Sequence, residues 1–356
     1  MLNEFYKGKK VLVTGHTGFK GAWMCHVLHH MGAQVYGYAL EPPTVPSLYE
    51  LSGAGGFVVS KIGDICDLES SKQFFDEVQP EIVIHMAAQP IVRESYKNPV
   101  NTYATNVMGT VNVLECVRLC ESVKSVVNVT TDKVYRNLER EAGYREDEEL
   151  CGYDPYSNSK SCSELVTDSY RNSFLRERGC AVSTMRAGNV IGGGDFAVDR
   201  IIPDCVRAIE KGEDMVIRNS HSTRPYQHVL EPIFAYLFVA MKQYEDLSVA
   251  GAYNIGPNDE GCVTTGALVD SFCKIWNAQT GDSLNYIVRG DDGPHEATFL
   301  KLDCTKMKER FGWSPRWDVE MMLQKTAQWT AAYRNGADIS TLMREQINEY
   351  MRNDAV

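Results

Sequence analysis

Hydrophobic and polar positions along the first two-thirds of the chain fall into two alternating kinds of segment. Short runs rich in β-branched residues predict strands, and longer segments with a helical apolar period predict helices. The predicted strands are residues 10–14, 34–38, 57–61, 82–86, 126–130 and 182–187. The predicted helices are residues 19–31, 68–78, 103–122 and 156–177. This alternation predicts an α/β fold: a doubly wound parallel sheet with helices on both faces.

After Gly188 the alternation weakens, which predicts a second and smaller domain. Three successive glycines at 192–194 mark a loop, 230–243 predicts a helix, and 252–255 predicts a strand that can rejoin the sheet. We therefore predict a Rossmann-type domain over residues 1–188, rejoined by about 226–256. Residues 189–225 and 257–356 form the predicted smaller, carboxy-terminal substrate-binding domain.

Charge and cysteine content narrow the range of partners. The 36 basic and 47 acidic residues give a net charge of −11, which repels nucleic acid and anionic membranes. The 11 cysteines include no C-x-x-C pair, so we expect reduced thiols and no metal site. Because neither a signal peptide nor a membrane span is recognisable, a cytoplasmic location is expected.

Three glycines follow the first predicted strand in the spacing G-x-x-G-x-x-G. Gly15, Gly18 and Gly21 lie between that strand and an amphipathic helix. Such a turn lets the backbone approach a pyrophosphate, which then lies at the positive end of the helix. The sequence therefore predicts a dinucleotide-binding turn. Its expected ligand contacts are Gly15, His16, Thr17, Gly18, Phe19 and Gly21.

The second strand indicates which dinucleotide binds. The acid that usually ends this strand and holds the adenosine ribose is missing or displaced, since Glu41 comes only after Leu40. No arginine is present there to receive a 2′-phosphate, which favours NAD over NADP.

Further cofactor contacts are expected after the third, fourth and fifth strands. Asp64 either binds adenine or only closes a turn, and Asn106 either braces the main chain or packs within its helix. Small residues after the fourth strand suit a backbone that runs beside a cofactor. The additional predicted cofactor residues are Asp64, Ile65, Ala87, Ala88, Gln89, Asn106, Thr130, Tyr156 and Lys160.

A catalytic group is predicted from a Y-x-x-x-K spacing. Tyr156 and Lys160 share one helix face, and a lysine ammonium lowers the pKa of a nearby phenol from about 10. The phenolate can then accept a hydroxyl proton while hydride leaves the same carbon. Lys160 can also hold the nicotinamide ribose, and the Thr131 hydroxyl can bind the reacting oxygen.

Asp132 and Lys133 follow Thr131 directly. Alcohol oxidation alone needs neither residue. An acid and a base at this position suit proton chemistry at neighbouring carbons. The alternative interpretation is a solvated charge pair in a loop.

Taken together, these motifs resemble the nucleotide-sugar 4,6-dehydratases of the extended short-chain dehydrogenase family. The matching segments are GHTGFKG at 15–21, MAAQP at 86–90, TDK at 131–133, YDPYSNSK at 153–160, RAGNVIGGGD at 186–195, RPYQHVLEP at 224–232 and PHEA at 294–297. The resemblance implies that Tyr156 deprotonates the C4 hydroxyl and that hydride passes to NAD. A base then takes the C5 proton, water leaves C6 with Asp132 as acid, and hydride returns to C6.

Two residues depart from the family pattern. Lys133 stands where relatives carry a glutamate base, so the identity of the C5 base is open. His16 replaces a small residue of the glycine turn. It either places bulk and charge beside the pyrophosphate, which weakens NAD binding, or faces solvent.

The resemblance also implies the substrate contacts. Asn189 is expected to hold the sugar-side phosphate and Arg224 the diphosphate, with Arg218 either sharing that role or forming a surface ion pair. The expected substrate-binding residues are Asn189, Arg200, Arg218, Arg224, His228 and His295.

A homodimer, or a tetramer, is expected if helices 103–122 and 156–177 form the family's four-helix interface; the alternative is that these helices only cover the sheet. The competing functions are dehydration or 4-epimerisation of another nucleotide sugar (GDP-, dTDP- or UDP-linked) and a non-catalytic NAD-binding module. The intact set of Thr131, Tyr156 and Lys160 counts against the module.

Overall fold

The computed structural model describes residues 1–290 and 299–352. Strands within these ranges are β1 (Lys10–Thr14), β2 (Gln34–Ala39), β3 (Val59–Ile62), β4 (Ile82–His85), β5 (Ser125–Val129), β6 (Ala181–Ala187), β7 (Asn189–Ile191), β8 (Met215–Ile217), β9 (Thr223–His228), β10 (Ala252–Ile255), β11 (Cys262–Thr264) and β12 (Tyr286–Val288). Helices are α1 (Leu2–Tyr6), α2 (Phe19–His30), α3 (Leu48–Leu51), α4 (Leu68–Val78), α5 (Val92–Lys97), α6 (Pro99–Tyr103), α7 (Gly109–Leu119), α8 (Pro155–Tyr170), α9 (Ile201–Lys211), α10 (Leu230–Glu245), α11 (Thr265–Thr280), α12 (Thr305–Phe311), α13 (Val319–Arg334) and α14 (Ile339–Arg352).

Seven parallel strands form the central sheet in the order β10-β6-β5-β4-β1-β2-β3. Thr14 at the end of β1 pairs with Tyr38 on one side and His85 on the other, so the strands end at one edge. The strand order reverses between β1 and β4. In such sheets the crevice at the reversal point binds the ligand. The predicted doubly wound α/β fold is confirmed.

The central strands are buried on both faces. Along β1, Val11 and Val13 pack against α2, α10 and α14, whereas Leu12 faces α4 and α7. This two-sided burial explains why the strands read as continuous apolar runs. At the sheet edge, Val59 and Ile62 of β3 are exposed, so the hydrophobic pattern locates the ends of β3 less accurately.

The chain leaves the large sheet after β6 and returns to it for β10. Between and after these strands it forms a three-stranded sheet, β11-β9-β7, and a β12-β8 pair. A separate cluster of apolar side chains joins α9, α11 and α13, with Trp276 and Met322 at its centre. This second body of the fold covers one side of the crevice.

Two of the predicted helices include a π-helical turn. Residues 99–119 run through α6, a π turn at Ala104–Met108 and α7, and α8 continues into a π turn at Arg171–Leu175. Asp154 begins α8 as a cap, since its Oδ1 accepts the Ser157 N–H at 2.9 Å.

Each of the eleven cysteines is a free thiol. No helix in the described part of the chain has both the length and the apolar character needed to cross a bilayer.

Candidate active site

The carboxyl ends of the central strands open into a cleft of about 690 Å³, a size typical of small-molecule sites. The glycine turn, at residues 15–21, lines one side. Residues 187–204 and parts of 215–226 line the other side. The cleft therefore lies between the central sheet and the second body of the fold.

Close backbone contacts shape the glycine turn. Gly15 has a φ of +77°, and a Cβ on Gly21 would lie 2.1 Å from the Gly15 carbonyl oxygen. The Thr14 hydroxyl accepts the N–H groups of Met86 and Ala87 at 3.1 and 3.2 Å, which ties the turn to the end of β4. The predicted cofactor residues that line the cleft are Gly15, Thr17, Gly18, Phe19, Gly21, Asp64, Ile65, Ala87, Ala88, Thr130, Tyr156 and Lys160.

His16 neither carries charge into the cleft nor faces solvent, so both sequence-based interpretations were wrong. Its side chain is fully buried, with Nε2 2.7 Å from the Ser60 hydroxyl and the ring edge-on to Tyr49. The ring occupies space that a Cβ on Gly37 would need. Burial lowers the pKa of His16 to about 4, so it is neutral near pH 7.

The wall beyond β2 and β3 carries two acidic residues. The carboxylate of Asp64 accepts the Cys66 N–H at 2.9 Å, so it closes a turn while lying on the cleft wall. Glu41 also lines the cleft, after Leu40. An acidic side chain is therefore present on the cleft wall shortly after β2.

Gln89 and Asn106 brace the backbone. Neither residue lines the cleft that the described part of the chain forms. Asn106 accepts the Gln89 N–H at 2.8 Å and donates to the Gln89 carbonyl and to Ser159. The Gln89 side chain binds Thr102 and the Ile91 N–H. The prediction of direct cofactor contact by these two side chains is thus corrected: they fix the segment after β4.

Tyr156 and Lys160 both line the cleft, but the predicted lowering of the tyrosine pKa was wrong. Burial raises the pKa of Tyr156 to about 12, and the neighbouring Thr131 hydroxyl and the charge of Arg200 oppose the rise. The Lys160 ammonium instead donates to the Val129 carbonyl at 3.1 Å, and burial lowers its pKa to about 8. Tyr156 is therefore protonated in the ligand-free protein.

Asp132 is a buried carboxyl group at the bottom of the cleft. Its Oδ1 accepts the Thr131 hydroxyl at 2.9 Å, and its Oδ2 has no partner among the described residues. Burial raises the pKa of Asp132, against the charges of Lys133 and Arg224 and the Thr131 bond. A carboxyl group with a raised pKa and a free oxygen suits general acid chemistry.

Two arginine–aspartate pairs stand on the opposite wall. Arg200 contacts Asp195 at 3.0 Å, and Arg218 contacts Asp199 at 3.1 Å. All four residues line the cleft. The ion pair of Arg218 therefore lies at the cleft itself.

Asn189 and Arg224 complete the substrate half of the cleft. Asn189 begins β7, and Arg224 lies on β9 with most of its side chain buried. Both line the cleft. His295, the remaining predicted contact of this wall, lies outside the described residues.

His228 is not a cleft residue, so its prediction as a substrate contact was wrong. Its ring is fully buried edge-on against Trp23 and Trp317, and Nδ1 accepts the Leu230 N–H at 3.2 Å. Burial lowers the pKa of His228 to about 3. The side chain packs elements together in a neutral form.

The structure also adds cleft residues that sequence reasoning missed. Lys20, Arg93 and Asp195 all line the cleft. A lysine inside a glycine turn was the one visible signal among them, because such turns otherwise hold small or apolar residues there.

Behind the cleft, a buried ion pair joins α8 to β6. Arg186 Nη2 lies 2.9 Å from Glu164 Oε2, and both side chains are almost fully buried. The two Glu164 oxygens also accept the hydroxyls of Thr130 and Thr184. Glu164 follows Lys160 by one helical turn, so the pair fixes the helix that carries Tyr156 and Lys160.

A parallel sheet with a glycine turn after its first strand, and a Tyr-x-x-x-Lys helix facing that turn across a cleft, defines a short-chain dehydrogenase/reductase. The sequence model of the family described as GDP-mannose 4,6 dehydratase matches residues 12–326. The chain belongs to this family of nucleotide-sugar dehydratases.

Among known relatives, the chain is similar to enzymes that dehydrate nucleotide-linked glucose. The chain is 48% identical over 354 residues to the CDP-glucose 4,6-dehydratase of Salmonella typhimurium, covering 98% of both chains. It is 26% identical to the dTDP-glucose 4,6-dehydratase of Haemophilus influenzae, covering 90% of this chain and 97% of the relative. The predicted resemblance to 4,6-dehydratases is confirmed.

Solved structures share the fold. The dTDP-glucose 4,6-dehydratase of Bacillus anthracis, in complex with NAD, has a TM-score of 0.75 at 22% identity, covering 93% of this chain and 99% of its own. The UDP-glucose 4-epimerase of Thermotoga maritima, with UDP-glucose, has a TM-score of 0.76 at 23% identity, covering 92% and 99%. The fold alone therefore does not separate dehydration from epimerisation.

We expect Glu164→Gln to lower the free energy of unfolding by about 3 kcal/mol or more, because it leaves the Arg186 charge buried and unpaired. Glu149→Gln is the matched control, since it breaks the exposed Arg136–Glu149 pair at 3.0 Å and should cost less than about 1 kcal/mol. Urea unfolding of both variants measures the difference. Equal midpoints would contradict the structural role of the buried pair.

Proposed function

We propose that the chain catalyses the 4,6-dehydration of CDP-D-glucose to CDP-4-dehydro-6-deoxy-D-glucose, with NAD as catalytic cofactor. The observation that carries the proposal is Asp132. Its buried Oδ2, which has no partner among the described residues, lies beside Thr131 and Tyr156 in one cleft, where oxidation alone needs no acid. The similarity to the Salmonella CDP-glucose 4,6-dehydratase supports this choice of substrate.

The cleft fits a dinucleotide at the glycine turn. Gly18 lines the cleft at the N-terminus of α2, and a Cβ there would meet only the Gly15 carbonyl, so the backbone is open to a pyrophosphate. Glu41 on the wall suits ribose hydroxyls and repels a 2′-phosphate, which supports NAD. Oxidised nicotinamide bound at the catalytic end supplies a hydride acceptor for C4 and, once reduced, a donor for C6.

The proposed chemistry assigns one task to each catalytic residue. Tyr156 takes the C4 hydroxyl proton, for which its pKa must fall on ligand binding; the charge of Arg200 already acts in that direction. Thr131 holds the reacting oxygen, and Lys160 orients the cofactor ribose. Asp132 gives a proton to the departing C6 hydroxyl, and burial favours its protonated form by raising its pKa.

Lys133 is proposed as the base that takes the C5 proton, because of its position in the cleft. Lys133 lines the cleft next to Asp132, in the place where the family carries glutamate. Because an ammonium has no free electron pair, Lys133 would act only as the neutral amine.

We propose that the second body of the fold binds the nucleotide sugar. Asn189, Arg200, Arg218 and Arg224 line its side of the cleft and offer positive charge to a diphosphate in an acidic protein. This assignment corresponds to the predicted domains, 1–188 with about 226–256 and 189–225 with 257–356. We also propose a cytoplasmic location, which the eleven free thiols support.

Exposed apolar side chains support a homodimer built on the α6–α8 face. Val100, Tyr103, Met108, Leu165 and Phe174 all lie on this surface with more than a third of their area exposed. Pairing such a face with its copy would bury them together.

Two matched variants separate oxidation from water loss. Tyr156→Phe should lose turnover by about a hundredfold or more and form no reduced cofactor, because the hydroxyl proton has no acceptor. Asp132→Asn should still oxidise C4 but retain the C6 hydroxyl, so reduced nicotinamide accumulates. Stopped-flow absorbance of reduced nicotinamide checks both. Normal dehydration by Asp132→Asn would remove Asp132 from the mechanism.

Isotope labelling tests the path of the hydride. With substrate deuterated at C4 in ordinary water, the label should appear at C6 of the product; in heavy water, unlabelled substrate should gain deuterium at C5. Mass spectrometry and NMR of the product locate both labels. Label that returns to C4 with inverted configuration would indicate a 4-epimerase, and stoichiometric reduced cofactor a simple dehydrogenase.

Sedimentation tests the dimer. Leu165→Asp should shift the protein toward monomer, because it places a charge in the proposed interface. Val59→Asp is the control, since Val59 is equally exposed, at 57%, but lies on the edge strand β3. If only Val59→Asp dissociated the protein, the interface would lie at the β3 edge of the sheet and the proposed α6–α8 interface would be wrong.

A further inference from the structure

His85 is a buried side chain at the end of β4 that the mechanism above does not use. Its Nδ1 lies 2.7 Å from the hydroxyl of Thr14, the last residue of β1, and its Nε2 lies 3.1 Å from the hydroxyl of Thr110 in α7. The imidazole does not line the cleft that the described residues form, so it lies behind the cleft wall. It therefore joins the residue before the glycine turn to α7.

The hydroxyl of Thr14 fixes which nitrogen of His85 carries the hydrogen. Thr14 Oγ1 accepts the N–H groups of Met86 and Ala87 at 3.1 and 3.2 Å. A hydroxyl has two lone pairs and one hydrogen, so that hydrogen is left for His85 Nδ1. The ring then carries its own hydrogen on Nε2 and donates it to Thr110. Burial lowers the pKa of His85 to about 3, so the ring stays neutral.

From Thr110 the hydrogen bonds continue to α8. The Thr110 hydroxyl donates to the Asn106 carbonyl at 2.8 Å and lies 3.1 Å from the Ser163 hydroxyl. Because the Thr110 hydrogen goes to Asn106, Ser163 is the donor to Thr110, and Ser163 in turn accepts an N–H of Asn128 at 3.0 Å. Ser163 lies in α8, less than one turn after Lys160. The bonds thus run from the glycine turn to the helix of Lys160.

The two walls that these bonds join must be held precisely for the proposed reaction. Gly15 and Ala87 line the cofactor side of the cleft, and a Cβ on Gly15 would lie 2.8 Å from the Ala87 nitrogen. Tyr156 and Lys160 line the cleft from α8. Hydride transfer from the carbon that Tyr156 serves requires the groups on both walls to be placed within about 0.5 Å. The bonds through His85 join the two walls from behind.

We propose that His85 is a positioning residue for hydride transfer: as one neutral tautomer, it holds the glycine turn and the helix of Tyr156 and Lys160 in a fixed relation. This inference rests on the proposed function and deepens it, because it names a residue that sets the geometry of the oxidation step. A side chain that cannot form both bonds lets the two walls shift. A misplacement of about 1 Å can slow catalysis about a hundredfold.

Steady-state kinetics of the full chain, normalised by the number of ADP-ribose sites, tests this proposal. His85→Phe keeps a ring of similar size and removes both hydrogen bonds. We expect kcat for CDP-D-glucose per ADP-ribose site to fall about tenfold or more, with KM for the sugar almost unchanged. Calorimetric titration with ADP-ribose counts the chains that are folded and competent to bind. A purely structural role would lower the number of sites and leave kcat per site unchanged.

Two amide variants separate the two bonds. The side-chain amide of His85→Asn reaches the position of Nδ1 and can accept the Thr14 hydrogen. The longer amide of His85→Gln reaches the position of Nε2 and can donate to Thr110. Each variant should recover part of the rate that His85→Phe loses. If neither is faster than His85→Phe, the hydrogen bonds are not what His85 contributes, and the proposal is wrong.

Thr110→Val tests the same bonds without altering His85, and it decides the question if His85→Phe does not fold. It removes the acceptor of Nε2 and should also lower kcat per site about tenfold. Thr326→Val is the matched control, because Thr326 is buried in α13 and its hydroxyl likewise donates to the carbonyl four residues earlier, at 2.8 Å. His26→Phe is the control for the loss of a buried imidazole, since His26 packs in α2 edge-on to Phe57. Both controls should turn over like the unaltered chain.

A normal kcat per site in His85→Phe or in Thr110→Val would overturn the proposal. An equal fall in Thr326→Val or His26→Phe would also overturn it, because the loss of any buried polar group would then have the same effect. If the unaltered chain does not convert CDP-D-glucose, the proposed function is wrong and this inference with it. If that chain converts the sugar and its His85 variants do so at the same rate, this inference alone is wrong.

Discussion

Glu164 and Arg186 form an ion pair with almost no exposure to solvent, and this pair joins the helix of Tyr156 and Lys160 to the strand ends that they face. Two charges removed from water are costly, and here their mutual contact and the hydroxyls of Thr130 and Thr184 compensate that cost. The Arg186 guanidinium also donates to Tyr135 and to the Glu146 carbonyl. The position of Tyr156 and Lys160 and the packing of the segment from Tyr135 to Glu146 therefore depend on the same ion pair.

Pairs of opposite charges are also present on the wall of the cleft. The protein is acidic overall, yet the wall proposed to bind the diphosphate of the substrate carries Arg200, Arg218 and Arg224. Asp195 and Asp199 pair with the first two of these. Cations held beside internal carboxylates are oriented before a ligand binds, and an arriving phosphate can replace the carboxylate as partner.

Local patterns predicted the sheet, the glycine turn and the Tyr156–Lys160 helix, because strand burial and turn geometry depend on neighbouring residues. Contacts between distant segments were beyond the sequence. His16 is buried because Gly37 leaves room for its ring, and His228 because two tryptophans from opposite ends of the chain enclose it. A spacing of four residues places Lys160 beside Tyr156 but does not show that its ammonium binds the Val129 carbonyl.

Thr131 links the two halves of the proposed reaction. Its single hydroxyl hydrogen goes to Asp132 Oδ1 in the ligand-free protein, while Tyr156 is still protonated. Once Tyr156 loses its proton, the same hydrogen can stabilise the phenolate only if Asp132 no longer requires it. A proton on Oδ2, the oxygen without a partner among the described residues, meets that condition. In the proposed reaction a protonated Asp132 would therefore favour both steps: it would free Thr131 for oxidation and keep the proton that water loss consumes.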